Sequence, residues 1–142
     1  MERLAGYRHI WVFDFEYVAD DGEVPEPVCL AAVDLVSEER VTLWREDMRR
    51  GVPFDTEADS LFVCYSGAGD IGCFLELDWP VPQRLLDLYP EARQMLYDLD
   101  GYKSPSLINV ARLLGRETME RLAKVDGRVL IISRRFTDAD RA

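Results

Sequence analysis

The sequence predicts an α/β fold in which a mixed sheet comes first and helices follow. Aromatic and β-branched residues are concentrated in short segments of the first half of the chain, which is typical of strands. A continuous apolar run over residues 61–65 is followed by a turn and a helical segment. After Pro90 the apolar residues recur with a helical period. This order of strands, a strand–helix–strand unit and helices indicates one mixed sheet.

The N-terminal strands are expected to form an antiparallel meander. His9–Val18 is the first predicted strand, and residues 28–36 and 40–45 are the second and third. An Asp-Asp-Gly turn and two prolines mark the loop between the first two strands. Short links between successive strands favour antiparallel pairing. Residues 47–60 are polar and predict a loop with one helical turn.

The remaining elements begin with a strand at residues 61–65, whose continuous apolar character is typical of a strand buried on both faces. A Gly-containing turn follows, and Asp70 precedes a helix predicted over 71–77 that stops before Trp79-Pro80. Residues 85–89 predict a fifth strand. Three further helices are predicted over residues 91–99, 105–115 and 117–125.

Length and composition limit the class of protein. The 142 residues are 48% hydrophobic and 31% charged, which excludes intrinsic disorder and fits one domain over 1–142. No apolar run approaches a membrane span, and the N-terminus lacks the apolar stretch of a secretion signal. We therefore expect a cytoplasmic protein without a membrane partner.

The cysteines give no pattern of a metal or disulfide site. Cys29, Cys64 and Cys73 are widely spaced among apolar residues, and His9 is the single histidine. This set suits neither a zinc site nor a disulfide framework. The cysteines are expected to be reduced, buried thiols.

Charge is distributed unevenly along the chain. The 17 Lys and Arg against 27 Asp and Glu give a net charge of −10, which argues against a protein that coats nucleic acid. Residues 1–100 carry 8 basic and 22 acidic side chains, whereas residues 101–142 carry 9 basic and 5 acidic ones. The asymmetry favours an acidic sheet part up to about residue 90 and a basic helical part after it. Solvated helix faces are the alternative explanation.

Two carboxylates stand in the middle of the first predicted strand. Alternation puts Asp14 and Glu16 on one face, about 6.6 Å apart along the strand. Neighbouring acids repel each other and lose solvation, so structure alone gives no reason for them. A divalent cation such as Mg²⁺, which prefers oxygen ligands, would resolve both problems. The alternative is an edge strand whose polar face meets water.

Asp70 adds a third carboxylate, because it follows the buried strand where a helix is predicted to begin. Its simpler role would be an N-cap that accepts hydrogen bonds from the first turn. If the strand before it lies parallel and adjacent to the first strand, its carboxylate reaches the same patch as Asp14 and Glu16.

These residues carry a resemblance to a known family. Asp14-Phe15-Glu16 resembles the first motif of the DnaQ-like (DEDD) 3′–5′ exonucleases, which have a ribonuclease H-like fold. The stretch FVCYSGAGDIGCFLELDWP over 62–80 resembles the second motif, in the form found in proofreading domains of bacteriophage-like DNA polymerase I proteins. Residues 84–93 and Trp44-Arg45 match the same subgroup. The resemblance extends from about residue 8 to residue 142.

The resemblance implies an activity and a set of ligands. Asp14, Glu16 and Asp70 would be catalytic residues that hold two Mg²⁺ or Mn²⁺ ions, with Asp14 bridging both. The reaction would be hydrolysis of phosphodiester bonds at single-stranded DNA ends, with RNA as the alternative substrate, releasing nucleoside monophosphates. Asp70 departs from the polymerase-like subgroup, which often has Glu there, but agrees with the wider superfamily.

The third motif of the family is a C-terminal helix that carries a Tyr or His and a fourth carboxylate. Residues 136–142 resemble the lead-in to that helix, and neither Asp138 nor Asp140 follows the motif's Tyr or His. We therefore expect a ribonuclease H-like sheet without this helix. Either the exonuclease is truncated, or a polymerase or another chain supplies the missing group. Two alternatives follow: a weak or inactive exonuclease-like domain that binds nucleic acid or a partner protein, and another ribonuclease H-like nuclease.

Substrate contacts are expected from aromatic and basic side chains, because single strands are held by stacking and by a positively charged path. Phe15 and Tyr17 neighbour the carboxylates, and Lys103 and Arg112 lie in the basic helical part. Strand aromatics are more often core residues, which is the alternative for Phe15 and Tyr17.

Overall fold

The computed structural model describes residues 4, 6–97, 104–118 and 128–129 of the chain. Contacts divide the chain into two compact units, Met1–Asp87 and Leu88–Ala142. The strands all belong to the first unit, within the described residues. None of the helices in these described ranges has the length and hydropathy needed to cross a bilayer.

The first unit is built on a five-stranded mixed sheet with the order β3-β2-β1-β4-β5. The strands are β1 (His9–Val18), β2 (Glu26–Asp34), β3 (Arg40–Trp44), β4 (Ser60–Cys64) and β5 (Leu85–Asp87). β1 pairs antiparallel with β2, and β2 with β3, whereas β4 lies parallel to both β1 and β5. The predicted α/β fold, with three antiparallel strands followed by parallel ones, is confirmed.

Four helices accompany the strands in the described part of the chain: α1 (Arg45–Met48), α2 (Ala68–Glu76), α3 (Leu88–Leu96) and α4 (Leu107–Leu113). The fifth strand is shorter than predicted, because Leu88 and Tyr89 already belong to α3. Pro90 is tolerated there since backbone N–H groups in a first helical turn have no partner within the helix. α1 replaces the start of the loop predicted over 47–60. The helix predicted over 117–125 lies almost wholly outside the described residues.

An aromatic core covers one face of the sheet. Trp11, Phe13 and Phe15 alternate along β1 and are each about 3% exposed. Phe74 from α2 packs edge-on against Phe13 and Phe15, with centroids 5.7 Å from each ring, the arrangement that aromatic quadrupoles favour. On the opposite face of β1 a smaller apolar cluster contains Ile10 but ends before Asp14. The open end of that face is therefore polar.

Asp34 is a buried carboxylate at the end of β2 that the sequence analysis did not single out. It is fully buried and accepts hydrogen bonds from the backbone N–H groups of Ile10 (2.8 Å) and Val36 (3.1 Å). His9 Nδ1 lies 2.8 Å from its Oδ2, and the hydroxyl of Ser37 donates to it at 2.7 Å. Burial alone would raise the pKa of Asp34, but these hydrogen bonds outweigh burial and hold the pKa well below its ordinary value.

We expect Asp34→Asn to lower the free energy of unfolding by about 1–3 kcal/mol at pH 7, because the amide places an N–H group against buried donors. The lowered pKa means that the carboxylate stabilises the parent above pH ~4, its ordinary value, and that this contribution is lost as the pH falls further. Urea unfolding at pH 7 and pH 3 measures both effects. Asp21→Asn, in the exposed loop after β1, is the control, and equal losses in the two variants would contradict the prediction.

Candidate active site

Asp14 and Glu16 lie on the face of β1 opposite the aromatic core. Asp14 is exposed and Glu16 is half-buried, while Phe13 and Phe15 between and beside them are buried. The strand is central in the sheet, but its pairing with β4 ends at Val12. β1 therefore runs past β4 at the two acids, with β2 still paired on its other side.

The carboxylate of Asp70 lies beside β1 just after the residues that pair with β4. Its Oδ1 accepts a hydrogen bond of 3.0 Å from the backbone N–H of Phe15, and the residue is 4% exposed. The alternative role of Asp70 as an N-cap does not apply, because α2 begins at Ala68 with Gly67 as its N-cap. Asp70 is thus inside the first turn, and its carboxylate joins the helix to the strand that carries Asp14 and Glu16.

The electrostatics of Asp70 show that the carboxylates share one corner. The pKa of Asp70 is raised to about 7. Burial is the main cause, the charges of Asp14, Asp87 and Glu16 act in the same direction, and the hydrogen bond from the Phe15 N–H opposes them. The three predicted site residues are therefore close enough to influence one another. A buried carboxyl beside other carboxylates has an unfavourable environment for its charge that a cation would relieve.

The thiols next to this corner are not nucleophiles. Burial raises the pKa of Cys64 to about 12, with the charges of Asp87, Asp70 and Asp14 adding to it. Burial and then the charge of Glu16 raise the pKa of Cys29 to about 11. Both cysteines are free and remain protonated at neutral pH, so they are weak nucleophiles. Cys29 is half-buried rather than buried as expected.

A metal ion at this corner would meet oxygen donors. Within residues 6–97 and the shorter described segments, no group of three or more His, Cys, Asp or Glu side chains is arranged to hold a metal ion. Mg²⁺, however, commonly takes only one or two protein carboxylates and completes its shell with water and substrate phosphates. The donor chemistry of Asp14, Glu16 and Asp70 fits such a partly preformed site.

Tyr17 packs against the helix that carries Asp70. The ring is half-buried against the aromatic core, and its hydroxyl lies beside Gly69 so closely that a Cβ at position 69 would overlap it. Because glycine has no Cβ, the first turn of α2 can approach the end of β1. The structure thus gives Tyr17 a packing role next to the carboxylate corner.

The other predicted substrate contacts are placed differently. Phe15 is buried in the aromatic core, so its ring offers no surface on which a base could stack, and the expectation of a stacking role is corrected. Arg112 is exposed on α4, and its Nε donates to the hydroxyl of Thr118 at 3.2 Å. Lys103, Asp138 and Asp140 lie outside the described residues.

Asp87 is a fourth carboxylate near the corner that sequence reasoning missed. It is the last residue of β5, and its charge reaches both Asp70 and Cys64. Parallel strands place their carboxyl ends at the same edge of a sheet, which is the rule that could have found it. The prediction of a strand through 85–89 put Asp87 inside the strand and concealed this position.

The fold is shared with three solved exonuclease structures. Compared by sequence, the chain matches no family model and no curated protein. Among solved structures it is similar to Escherichia coli RNase D, an exoribonuclease involved in structured RNA processing, with a TM-score of 0.57 and 16% identity over 98% of this chain and 35% of RNase D. It is also similar to the Aedes aegypti Nibbler EXO domain, with a TM-score of 0.61 and 13% identity over 99% of this chain and 73% of that one.

A third solved structure, a product-bound exonuclease I, has a TM-score of 0.55 and 14% identity over 91% of this chain and 45% of its own. The chain spans about a third of RNase D and under half of exonuclease I. At these identities the similarity establishes the shared fold, and the activity has to be argued from the carboxylate corner.

We expect Asp70→Asn to make the metal-free protein more stable than the parent at pH 8. The raised pKa of Asp70 means that stability is lost as the pH rises from ~4, the ordinary carboxyl value, through about 7. Asn keeps an acceptor for the Phe15 N–H but carries no charge, so the gain should be roughly 1–3 kcal/mol at pH 8 and should vanish near pH 4. Urea unfolding in EDTA at both pH values measures it. A variant less stable than the parent at pH 8 would contradict the prediction.

The contact between Gly69 and Tyr17 predicts a coupling between the two positions. Gly69→Ala should destabilise the protein when Tyr17 is present, because the new methyl group displaces the ring. In a Tyr17→Ala background the same change should be neutral or stabilising, by up to about 1 kcal/mol, because alanine is the better helix former. A double-mutant cycle measured by urea unfolding gives the interaction energy, expected at about 1–3 kcal/mol. Additive effects would show that the two side chains do not meet.

Proposed function

We propose that this chain carries a divalent-metal-dependent 3′–5′ exonuclease domain that hydrolyses phosphodiester bonds at single-stranded DNA ends and releases nucleoside monophosphates. One observation carries the proposal. The buried carboxylate of Asp70 is tied to the backbone of β1 between Asp14 and Glu16, on a fold shared with exonucleases. No requirement of packing explains three acids at this place.

Each carboxylate has a distinct environment that suits a distinct task. Asp14 is exposed and Glu16 half-buried, so both can reach an incoming metal ion and phosphate. Asp70 is immobilised by the Phe15 N–H and gives the site a fixed point. Asp14, Glu16 and Asp70 would hold Mg²⁺ or Mn²⁺, which would supply Lewis-acid activation of water and stabilisation of the leaving oxygen. Two ions are expected, as the sequence resemblance implies.

Charge makes a metal ion a condition for binding a nucleic acid here. The sheet part is strongly acidic, and its corner would repel a phosphodiester without a cation. The nine basic side chains of residues 101–142, Lys103 and Arg112 among them, are the proposed path for the phosphates. As the sequence resemblance implies, a polymerase is the proposed partner of the domain.

DNA and RNA have to be compared directly as substrates. The sequence resemblance to polymerase proofreading domains favours DNA, whereas RNase D acts on RNA. Both acids carry the same scissile phosphate, so the carboxylate corner does not discriminate between them. The 2′-hydroxyl distinguishes the two substrates at a binding site.

A second function has an observation in its favour. The described residues contain no group of three metal-binding side chains, which favours an exonuclease-like domain that binds a nucleic acid or a partner protein without cutting. In that case the affinity for the nucleic acid or partner protein should be equal with EDTA and with Mn²⁺. It should also be equal in Asp14→Ala and in the parent.

The deciding experiment is calorimetric titration of Mn²⁺ together with digestion of 5′-labelled single-stranded DNA and RNA. We expect Mn²⁺ binding and a ladder that shortens from the 3′ end. Asp14→Ala should weaken metal binding and reduce the rate about 10²-fold or more, because it removes a ligand of the proposed metal ion. The control is Glu39→Ala, which removes an exposed acid from the turn between β2 and β3, near the start of β1 and away from Asp14. It should change neither metal binding nor the cleavage rate.

Three results would separate the hypotheses. Metal binding without a ladder would mean that the corner is formed but does not cut by itself. Absence of metal binding would refute the enzyme and leave the binding function. A ladder that persists in Asp14→Ala would show that the activity belongs to a contaminant.

A further inference from the structure

We propose that Asp87 is a positioning residue that holds the first turn of α2, and through it Asp70, against β1. The inference rests on the proposed function for its consequences in catalysis, but its structural part stands independently. Asp87 comes from β5, the edge strand, whereas Asp70 comes from α2 and the acids Asp14 and Glu16 from β1.

The carboxylate of Asp87 binds two successive backbone N–H groups. Oδ1 accepts from Ser66 at 2.8 Å and Oδ2 accepts from Gly67 at 2.9 Å. Hydrogen bonds to a charged acceptor are among the stronger ones in proteins. Because each oxygen is directed at the turn, Asp87 acts on the backbone between β4 and α2 rather than as a ligand of the corner.

The turn between β4 and α2 needs this support. Ser66 has a φ of 67°, a left-handed conformation that is costly for a residue with a side chain. Gly67 sits so close to the Cys64 thiol that a Cβ would overlap it. Gly67 is also the N-cap, and it has no side chain to satisfy the first N–H groups of the helix. Asp87, from a neighbouring strand, accepts from the N–H of this N-cap residue and from that of Ser66 before it.

The position of Asp70 follows from the position of this turn. Gly67 begins the helical hydrogen bonding by accepting from Ile71 at 2.9 Å, and Asp70 lies between them. A shift of the turn therefore moves the Asp70 carboxylate relative to the Phe15 N–H, 3.0 Å away. The chain of contacts runs from Asp87 to the Ser66–Gly67 backbone, then to Asp70, and then to the strand that carries Asp14 and Glu16.

The test compares Asp87→Ala, Asp87→Asn and the control Asp55→Ala. Asp55 also binds a turn amide, that of Glu57 at 3.0 Å, but it lies before β4 rather than after it. Hydrogen exchange at the Phe15 amide reports whether Asp70 still accepts from it, and amides of β2 report global unfolding. Mn²⁺ affinity, kcat and KM are measured on the same proteins.

We expect Asp87→Ala to speed exchange at the Phe15 amide at least ~10-fold with little change in β2, because only the local hydrogen bond is lost. Mn²⁺ affinity and kcat should each fall roughly 10–100-fold, the usual effect of removing a group that orients metal ligands. KM should change less than about threefold. Asp87→Asn keeps one acceptor oxygen and should be intermediate, and it also decides the question if Asp87→Ala does not fold. Asp55→Ala should match the parent.

The outcomes separate this inference from the proposed function. A parent that neither binds Mn²⁺ nor cuts, but whose Phe15 amide still responds to Asp87→Ala, would refute the exonuclease and support the positioning role. An active parent whose Phe15 amide, Mn²⁺ affinity and kcat are unchanged in both Asp87 variants would overturn the positioning role alone. Equal losses in Asp55→Ala would also overturn it, because they would indicate a general effect of loosening a turn.

Discussion

The hydrogen bond from the Phe15 N–H to the Asp70 carboxylate is the interaction on which the rest of the site depends. It forms where β1 runs past its last pair with β4, so a side chain takes the place of a strand partner. The bond brings a buried acid to the strand that carries Asp14 and Glu16. Burial and the neighbouring charges make this arrangement unfavourable, so it persists because the aromatic core under Phe15, the close approach at Gly69 and the Asp87 turn hold both sides in place.

The two buried aspartates illustrate how hydrogen bonds and neighbouring charges decide a pKa. Asp34 receives hydrogen bonds from His9, Ile10, Val36 and Ser37, which lower its pKa in spite of burial. Asp70 accepts a backbone hydrogen bond from Phe15 and is surrounded by other carboxylates, so its pKa is raised. Asp34 therefore stabilises the fold, whereas Asp70 weakens the metal-free fold at neutral pH. Such an unfavourable charge is typical of a functional site.

The sequence predicted β1 at its observed bounds, because aromatic and β-branched residues are concentrated in this segment. It also predicted that Asp14 and Glu16 share a face, since that follows from the geometry of a strand. It misplaced the start of α2, because Ser66-Gly67-Ala68-Gly69 reads as a turn and only packing against β1 makes its last residues helical. It likewise extended the fifth strand over residues that belong to α3, where apolar residues satisfy either structure.

The sequence by itself determined the local features. These are the strands, the residues that share a face of β1, the acidic sheet part, the basic segment after it, and the carboxylates of a candidate nuclease. Only the tertiary structure decided which acids meet. Asp70 reaches β1 at Phe15, 55 residues away in the chain, and Asp87 reaches the turn before α2 at Ser66 and Gly67, 21 and 20 residues away. The tertiary structure also decided that Phe15 is a core residue and that the buried carboxylate of Asp34 has hydrogen-bond donors around it. Those outcomes depend on burial and on hydrogen-bond partners, which no local pattern specifies.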